Sequence, residues 1–188
     1  MFPRKLIHES DEGKLYDHFL VDIVGHDRYL RFGYMASNDN IQDYLQKAFH
    51  DYGNTNMWFI CIDDDKVVGS VHVARDGDTA EMGFTVNPEY RGKGLGQDLF
   101  MRGATWAQMK GVETIYTQCL SENEVMQHIA KKNGMTVVTI EGTEKEATIK
   151  ATKGTIKAFY DDNFFDNLAF VDRAIEKQFK LYNTFMRL

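Results

Sequence analysis

Val86-Asn87-Pro88-Glu89-Tyr90-Arg91-Gly92-Lys93-Gly94-Leu95-Gly96 is the stretch around which the rest of the chain can be read. It joins an apolar strand pattern, Met82 to Val86, to a helical pattern that opens near Leu95 and carries Leu99, Phe100 and Trp106. Glycines at alternate positions admit backbone conformations that a Cβ forbids and allow a ligand to approach closely. Successive N–H groups in such a turn converge on one point, and the following helix adds the positive end of its dipole. Arg91 and Lys93 contribute formal charge, so the stretch suits a phosphate.

Spacing narrows the choice of phosphate ligand. The loop of nucleotide hydrolases needs Gly, four residues, then Gly-Lys-Ser/Thr, which does not occur here. The dinucleotide fingerprint needs G-x-G-x-x-G, whereas Gly92, Gly94 and Gly96 read G-x-G-x-G. What does match is Arg-x-x-Gly-x-Gly, Arg91 to Gly96, after a strand ending at Val86 and a Pro88 turn. That pattern resembles the acyl-CoA pyrophosphate loop of the GCN5-related N-acetyltransferase (GNAT) family. A strand-to-helix turn with only a packing role is the alternative reading, and the order of the remaining elements weighs against it.

The length of 188 residues accommodates one domain with a real core. Hydrophobic content of 43%, aromatic content of 13% and charged content of 27% are those of a globular protein. With 22 basic against 28 acidic residues the net charge is −6, which disfavours a general nucleic-acid binder and accommodates a basic substrate. The opening Met1-Phe2-Pro3-Arg4-Lys5-Leu6 lacks the apolar core of a signal peptide, and no run approaches the ~20 residues of a membrane helix. Cys61 and Cys119 sit far apart in apolar strand-like runs. A reduced, cytoplasmic compartment with buried thiols is therefore expected, without membrane association.

In chain order, residues 3 to 8 read as a short strand, and Leu15, Phe19 and Ile23 mark one face of a helix from Glu12 to about Val24. Asp27 to Phe32 reads as a turn or short helix. Asn38 or Asp39 would cap a helix through Ile41, Leu45 and Phe49. Met57–Ile62 and Lys66–Ala74 read as strands around Asp63-Asp64-Asp65, solvated turn residues rather than a cation loop. Asp76-Gly77 signals a hairpin between that second strand and Thr79–Val86. As a two-residue loop it would pair Arg75 with Asp78 and set His72 opposite Glu81. After the glycine loop come a helix to about Lys110, a strand Thr114–Leu120, and a helix from Ser121 or Glu122 to Lys132 ended by Asn133-Gly134. Two strands, Thr136–Glu141 and Glu146–Ala151, close the sheet.

This order is that of the GNAT family, and the resemblance covers Leu6 to about Thr152. Within the family the chain is most similar to the catalytic domain of bacterial Pat-type protein lysine acetyltransferases. Asp27-Arg28-Tyr29-Leu30-Arg31-Phe32, Ala80-Glu81-Met82-Gly83-Phe84 and Asn123-Glu124-Val125-Met126 carry that likeness. The synthetase-like or ligand-sensing portions found beside some such domains have no counterpart in these residues. The resemblance implies an α/β fold with a mixed, mostly antiparallel sheet of about 6–7 strands flanked by helices. It also implies acetyl-CoA as co-substrate, no metal, and a primary amine as acceptor, either a protein lysine or a small molecule.

It further implies that the backbone of Phe84, Thr85 and Val86 binds the pantetheine arm as an added strand. The N–H groups from Arg91 through Gly92, Lys93, Gly94 and Leu95 to Gly96 would hold the pyrophosphate. Asn123 would reach the cofactor; its own reading as a helix-start residue bonding its own backbone stays open. Glu81 shares a strand face with Gly83 and Thr85, and it is the expected general base, with a pKa raised by apolar surroundings. His72 would share its proton or bind the amine, unless it is a satisfied core histidine. The tyrosine that many family members use to protonate the leaving thiolate is replaced by Ala130, which keeps a non-catalytic acyl-CoA-binding module as the rival reading. His8, His18, His26, His50 and His128 show no paired metal-ligand spacing.

The domain is expected to span residues 1–152, followed by an extension, 153–188. There Leu168, Val171, Ile175, Phe179, Tyr182 and Met186 form one helical stripe. That extra C-terminal helix would pack on the same domain or form a homodimer interface.

Overall fold

The computed structural model describes residues 1–142 and 144–150, together with 166–168, 170, 171, 174 and 178. Its element order is β1 (Arg4–Lys5), α1 (His8–Asp17), a π turn (His18–Asp22), α2 (Gly25–Phe32), α3 (Asn38–Phe49), β2 (Asn56–Asp63), β3 (Lys66–Asp76) and β4 (Thr79–Val86). A 3₁₀ turn (Pro88–Tyr90) then leads to α4 (Leu95–Met109), β5 (Thr114–Leu120), α5 (Glu124–Lys132), β6 (Thr136–Glu141) and β7 (Glu144–Lys150). Among the described residues the sheet has seven strands in the order β1-β2-β3-β4-β5-β7-β6. Only β4 and β5 run parallel; every other pair is antiparallel.

Several boundaries differ from the sequence reading, each for a local reason. The first strand is only two residues long, because α1 starts at His8. Its Arg4 forms a buried bidentate pair with Asp11 at 2.6 and 2.8 Å, and Asp11 also accepts the Ile7 N–H at 2.8 Å. The helix expected through Val24 ends at Asp17. The π turn that follows buries His18 and Phe19 together, and Ile23 is already extended. Ser37, rather than Asn38 or Asp39, caps α3 in a reciprocal box with Asn40.

The two hairpins show how turn chemistry sets register. Asp64 and Asp65 take φ of +46° and +65° between the paired residues Asp63 and Lys66, so the aspartates are turn residues. In the next hairpin Gly77 takes φ of +57° and Asp78 does not share it, a Gly-first turn with Asp76 paired to Thr79. The register expected from an Asp76-Gly77 loop is therefore wrong. His72 lies opposite Gly83, and Glu81 lies opposite Ala74.

Alternation along β2 to β4 gives the sheet two apolar faces. Val71, Val73, Met82, Leu99, Phe100 and Trp106 join the face covered by α4. Leu15, Phe19, Ile41, Leu45, Trp58 and Ile60 join the face covered by α1 and α3. Cys61 and Cys119 are buried and are not joined in a disulfide. No helix among the described residues is long and apolar enough to cross a membrane. Of the C-terminal stripe, Leu168 and Val171 are helical, Val171 with half its surface exposed; the rest lies outside the described residues. Asp166 reaches the domain, pairing with the buried Arg102 of α4 and with Lys5.

Candidate active site

The described pairing between β4 and β5 covers only Thr79–Glu81 against Thr114–Tyr116. Beyond Glu81 the two strands part, and β4 from Met82 to Val86 pairs with β3 alone. The gap is the floor of a cleft of about 380 Å³. Gly83, Phe84, Thr85 and Val86 line it from β4, and Thr117 and Gln118 from β5. A strand edge left open inside the sheet offers N–H and C=O groups to an extended ligand.

At one end of the cleft stands the glycine loop. Gly92 and Gly94 have φ of +72° and +88°, and Gly94 is the left-handed residue at which α4 begins. No N–H from Gly92 to Gly96 has an acceptor among the described residues, which leaves five donors in the turn and the first residues of α4. The expected cradle is one residue shorter than the sequence suggested, because the Arg91 N–H donates to Pro88 O at 3.2 Å. The Arg91 side chain nonetheless borders the cleft. Its Nε donates to Val86 O at 3.1 Å, and its Nη2 pairs with Asp27 of α2 at 2.7 Å. Lys93 is exposed outside the cleft wall, its Nζ lying 4.9 Å from the centre of the Tyr90 ring.

The opposite wall is α5. Asn123 lines the cleft, and its Oδ1 caps the helix by accepting from the Met126 N–H at 3.1 Å. Its side-chain nitrogen has no acceptor among the described residues. Ala130, the position at which the sequence reading noted the missing tyrosine, is fully buried in the α4-side core. His128 and Lys132 of α5, and Ile23 and Leu30 near α2, also line the cleft; none was singled out from sequence. Only the α5 residues carried a signal, being one helical turn apart on the face shared with Val125 and Ile129.

The strand face toward α2 and α3 carries a chain of polar groups. Arg31 Nη2 donates to Tyr44 Oη at 2.6 Å. Tyr44 Oη lies 3.0 Å from His72 Nδ1, and His72 Nε2 lies 3.0 Å from Asn56 Oδ1. Asn56 Oδ1 can only accept, which assigns the His72 proton to Nε2 and makes Tyr44 the donor to Nδ1. His72 also stacks on Trp58 at 4.5 Å. Burial, reinforced by the Arg31 charge, pushes the imidazole down to about 3, so it is neutral near pH 7. His72 is thus a satisfied buried histidine and does not line the cleft. Glu81 also lies outside the lining. It is exposed at the point where β4 and β5 part, not enclosed by apolar strands as expected. Among the described residues no group of His, Cys, Asp and Glu is arranged to hold a metal ion.

The family model described as Acetyltransferase (GNAT) domain matches residues 6–136. No curated protein matches the chain in sequence. Among solved structures, the GNAT domain of S. lividans PAT superposes with a TM-score of 0.68 at 18% identity, covering 79% of this chain and 89% of that one. Spermidine N-acetyltransferase from Vibrio cholerae, in complex with CoA and spermine, gives 0.61 at 21% identity, over 79% and 94% of the two chains. The protein yncA from Salmonella typhimurium, with its cofactor acetyl-CoA, gives 0.61 at 16% identity, over 79% and 92%. At such identities the structures speak for the fold alone, but the sequence match spans most of the described domain: this chain belongs to the GNAT acetyltransferase family.

Proposed function

We propose that the protein transfers acetyl from acetyl-CoA to a primary amine by direct attack while both substrates are bound. The observation that carries this reading is the open β4 edge running toward five unpaired N–H groups at Gly92–Gly96. A pantetheine arm needs an extended partner, and a pyrophosphate needs converging donors; the residues present fit both. Bound there, acetyl-CoA supplies a thioester, and the chain's own groups do the rest. The backbone of Phe84, Thr85 and Val86 holds the arm. Gly92 to Gly96 hold the phosphates, with Arg91 beside them. Asn123 offers its side-chain nitrogen from the opposite wall.

Glu81, at the fork of the strands, takes the proton from the incoming ammonium directly or through one water. The freed nitrogen attacks the carbonyl carbon, the C–S bond breaks, and the thiolate takes its proton from solvent, since Ala130 has none to give. The acceptor is a lysine side chain or a small amine; structures of similar fold named as a spermidine N-acetyltransferase and a ribosomal-protein-alanine N-acetyltransferase support an amine acceptor of either size.

Isothermal titration with acetyl-CoA, followed by thiol release with pooled amines and lysine peptides, tests the reading. Saturable binding with release on one acceptor is the expected result. Binding without release on any acceptor favours an acyl-CoA-binding module, and absence of binding removes the reading. Gly94→Val should weaken acetyl-CoA binding by about tenfold or more, because a β-branched residue at φ of +88° cannot keep the cradle without strain. Unchanged affinity in that variant would show that the loop is not the phosphate site.

A further inference from the structure

We propose that Arg31 receives the carboxylate of an α-amino acid whose amino group faces Glu81, so that the acceptors are amines with a carboxylate on the adjacent carbon. This rests on the acetyl transfer proposed above and names the class of amine.

Arg31 leaves the last turn of α2 and lines the cleft. Its guanidinium covers Gly83 so closely that any side chain there would overlap Nη2, and a Cβ would lie 2.6 Å from Cζ. The group packs against two aromatic rings, with Cζ 5.1 Å from the Phe32 centroid and 5.2 Å from that of Tyr44. Its donor bond to Tyr44 is anchored in turn by His72 and Asn56, so the guanidinium is fixed from behind by a buried chain. A guanidinium has five N–H donors in a planar fork that matches a carboxylate.

No carboxylate among the described residues lies within ion-pair distance of that fork. Asp27, one helical turn earlier and suitably placed to pair with it, instead gives its carboxylate to Arg91 at 2.7 Å. Arg31 Nε is buried without a hydrogen-bond partner. A fixed, under-used guanidinium in a cleft of a chain with net charge −6 creates a local site for an anion where the overall field opposes one.

Glu81 stands two residues before Gly83 on the same strand face, about 6.6 Å along the strand. A carboxylate base and a guanidinium set over strand positions two residues apart on one face present opposite charges to the two ends of one zwitterion. An α-amino acid held at each end by a charge-assisted hydrogen bond spans the gap. A lysine side chain, with no carboxylate near its amine, leaves Arg31 unmatched.

The test compares amino acids with the amines that decarboxylation would leave, in thiol-release assays at saturating acetyl-CoA and in ligand-observed NMR on the CoA-bound protein. The expected result is that carboxylate-bearing members bind and react with a KM at least about tenfold lower. Arg31→Gln should raise their KM by about 10- to 100-fold with kcat largely kept and leave the decarboxylated amines little changed. Arg31→Lys, which keeps the charge but not the fork, should fall between. Equal use of both members of each pair by the unmodified protein overturns the proposal. So does a uniform fall in kcat for every acceptor in Arg31→Gln, which would assign Arg31 to the thioester. Tighter binding of succinyl-CoA than acetyl-CoA, lost in Arg31→Gln, would overturn it by assigning the guanidinium to the acyl chain. If acetyl-CoA binds but no thiol is released, the NMR pairs still decide what Arg31 reads, while the catalytic reading fails separately. Failure to bind CoA or acetyl-CoA overturns both.

Discussion

Glu81→Gln is expected to lower turnover by about 10²- to 10⁴-fold while acetyl-CoA binds as before. The amide is nearly isosteric but cannot accept the ammonium proton, and an amine attacks only after losing it. Glu81 is exposed at the fork between β4 and β5 and lies outside the cleft wall that would hold the cofactor, so its loss should leave cofactor affinity intact. Its position also makes the substitution nearly silent for stability, since Glu81 appears in no described hydrogen bond or ion pair within 4.0 Å. The measurement is kcat for thiol release with the best amine, beside an acetyl-CoA titration of the same variant. Turnover within about threefold of the unsubstituted protein would place the base elsewhere.

Acid should unfold this domain from an unusually high pH, between about 6.5 and 4, before its carboxylates titrate. Two histidines are responsible. His18 has no exposed surface, and its Nε2 lies 2.7 Å from Thr85 Oγ1, which in turn lies 2.6 Å from Ser70 Oγ. Burial pushes its imidazole down to about 4, against the opposing charge of Asp22. His72 is pushed to about 3 by burial and by Arg31. In the unfolded chain both return to 6.5. The unfolded state therefore binds more protons throughout the interval, and stability rises with pH across it. The contribution is complete above pH 6.5 and is lost as pH falls toward the folded-state values.

At about 1.4 kcal/mol for each tenfold change in proton binding, each histidine has cost about 2 kcal/mol by pH 5. Together they remove a large fraction of the 5–15 kcal/mol typical of a domain. Asp11 acts in the same direction but later. Burial raises its carboxyl, the bonds from Arg4 and Ile7 outweigh that, and the net depression places its loss below pH 3.8. Urea unfolding at pH 7, 6 and 5 measures the slope, and imidazole NMR identifies the residues. A flat stability profile from pH 7 to 5, or imidazoles that charge in the native state near pH 6, would overturn the assignment.

The glycine-loop end of the candidate site was legible because its backbone geometry is local. Gly92, Gly94 and Gly96 sit where a strand must turn into a helix, and their spacing marked the N–H groups left without partners to within one residue, the Arg91 N–H being taken by Pro88 O. Glu81 was legible as a strand position, since alternation alone places it on the face of Gly83 and Thr85. The acceptor end was harder to read. Arg31 attracted notice only as part of a family-like string, and its significance depends on Tyr44, His72 and Asn56, which lie 13 to 41 residues away in sequence order and meet through no local rule. A one-residue shift of the hairpin loop, decided by whether Asp76 or Gly77 takes the positive φ, was enough to put His72 opposite the wrong residue.

The family resemblance supplied the mixed α/β fold, and periodicity and turn signals by themselves determined most of the order of strands and helices and a glycine turn between β4 and α4 whose spacing suits a phosphate. Those features depend on neighbours within a few residues, through φ, spacing and the side-chain period. Tertiary structure decided what the turn serves and what faces it. It parted β5 from β4 after three residue pairs, buried Ala130 in the core, committed Asn123 Oδ1 to a helix cap, neutralised His72 by burial, and sent the Asp27 carboxylate to Arg91 so that Arg31 stood without one. Each outcome depends on which distant groups compete for the same partner or the same space, and that competition is settled only when the elements pack.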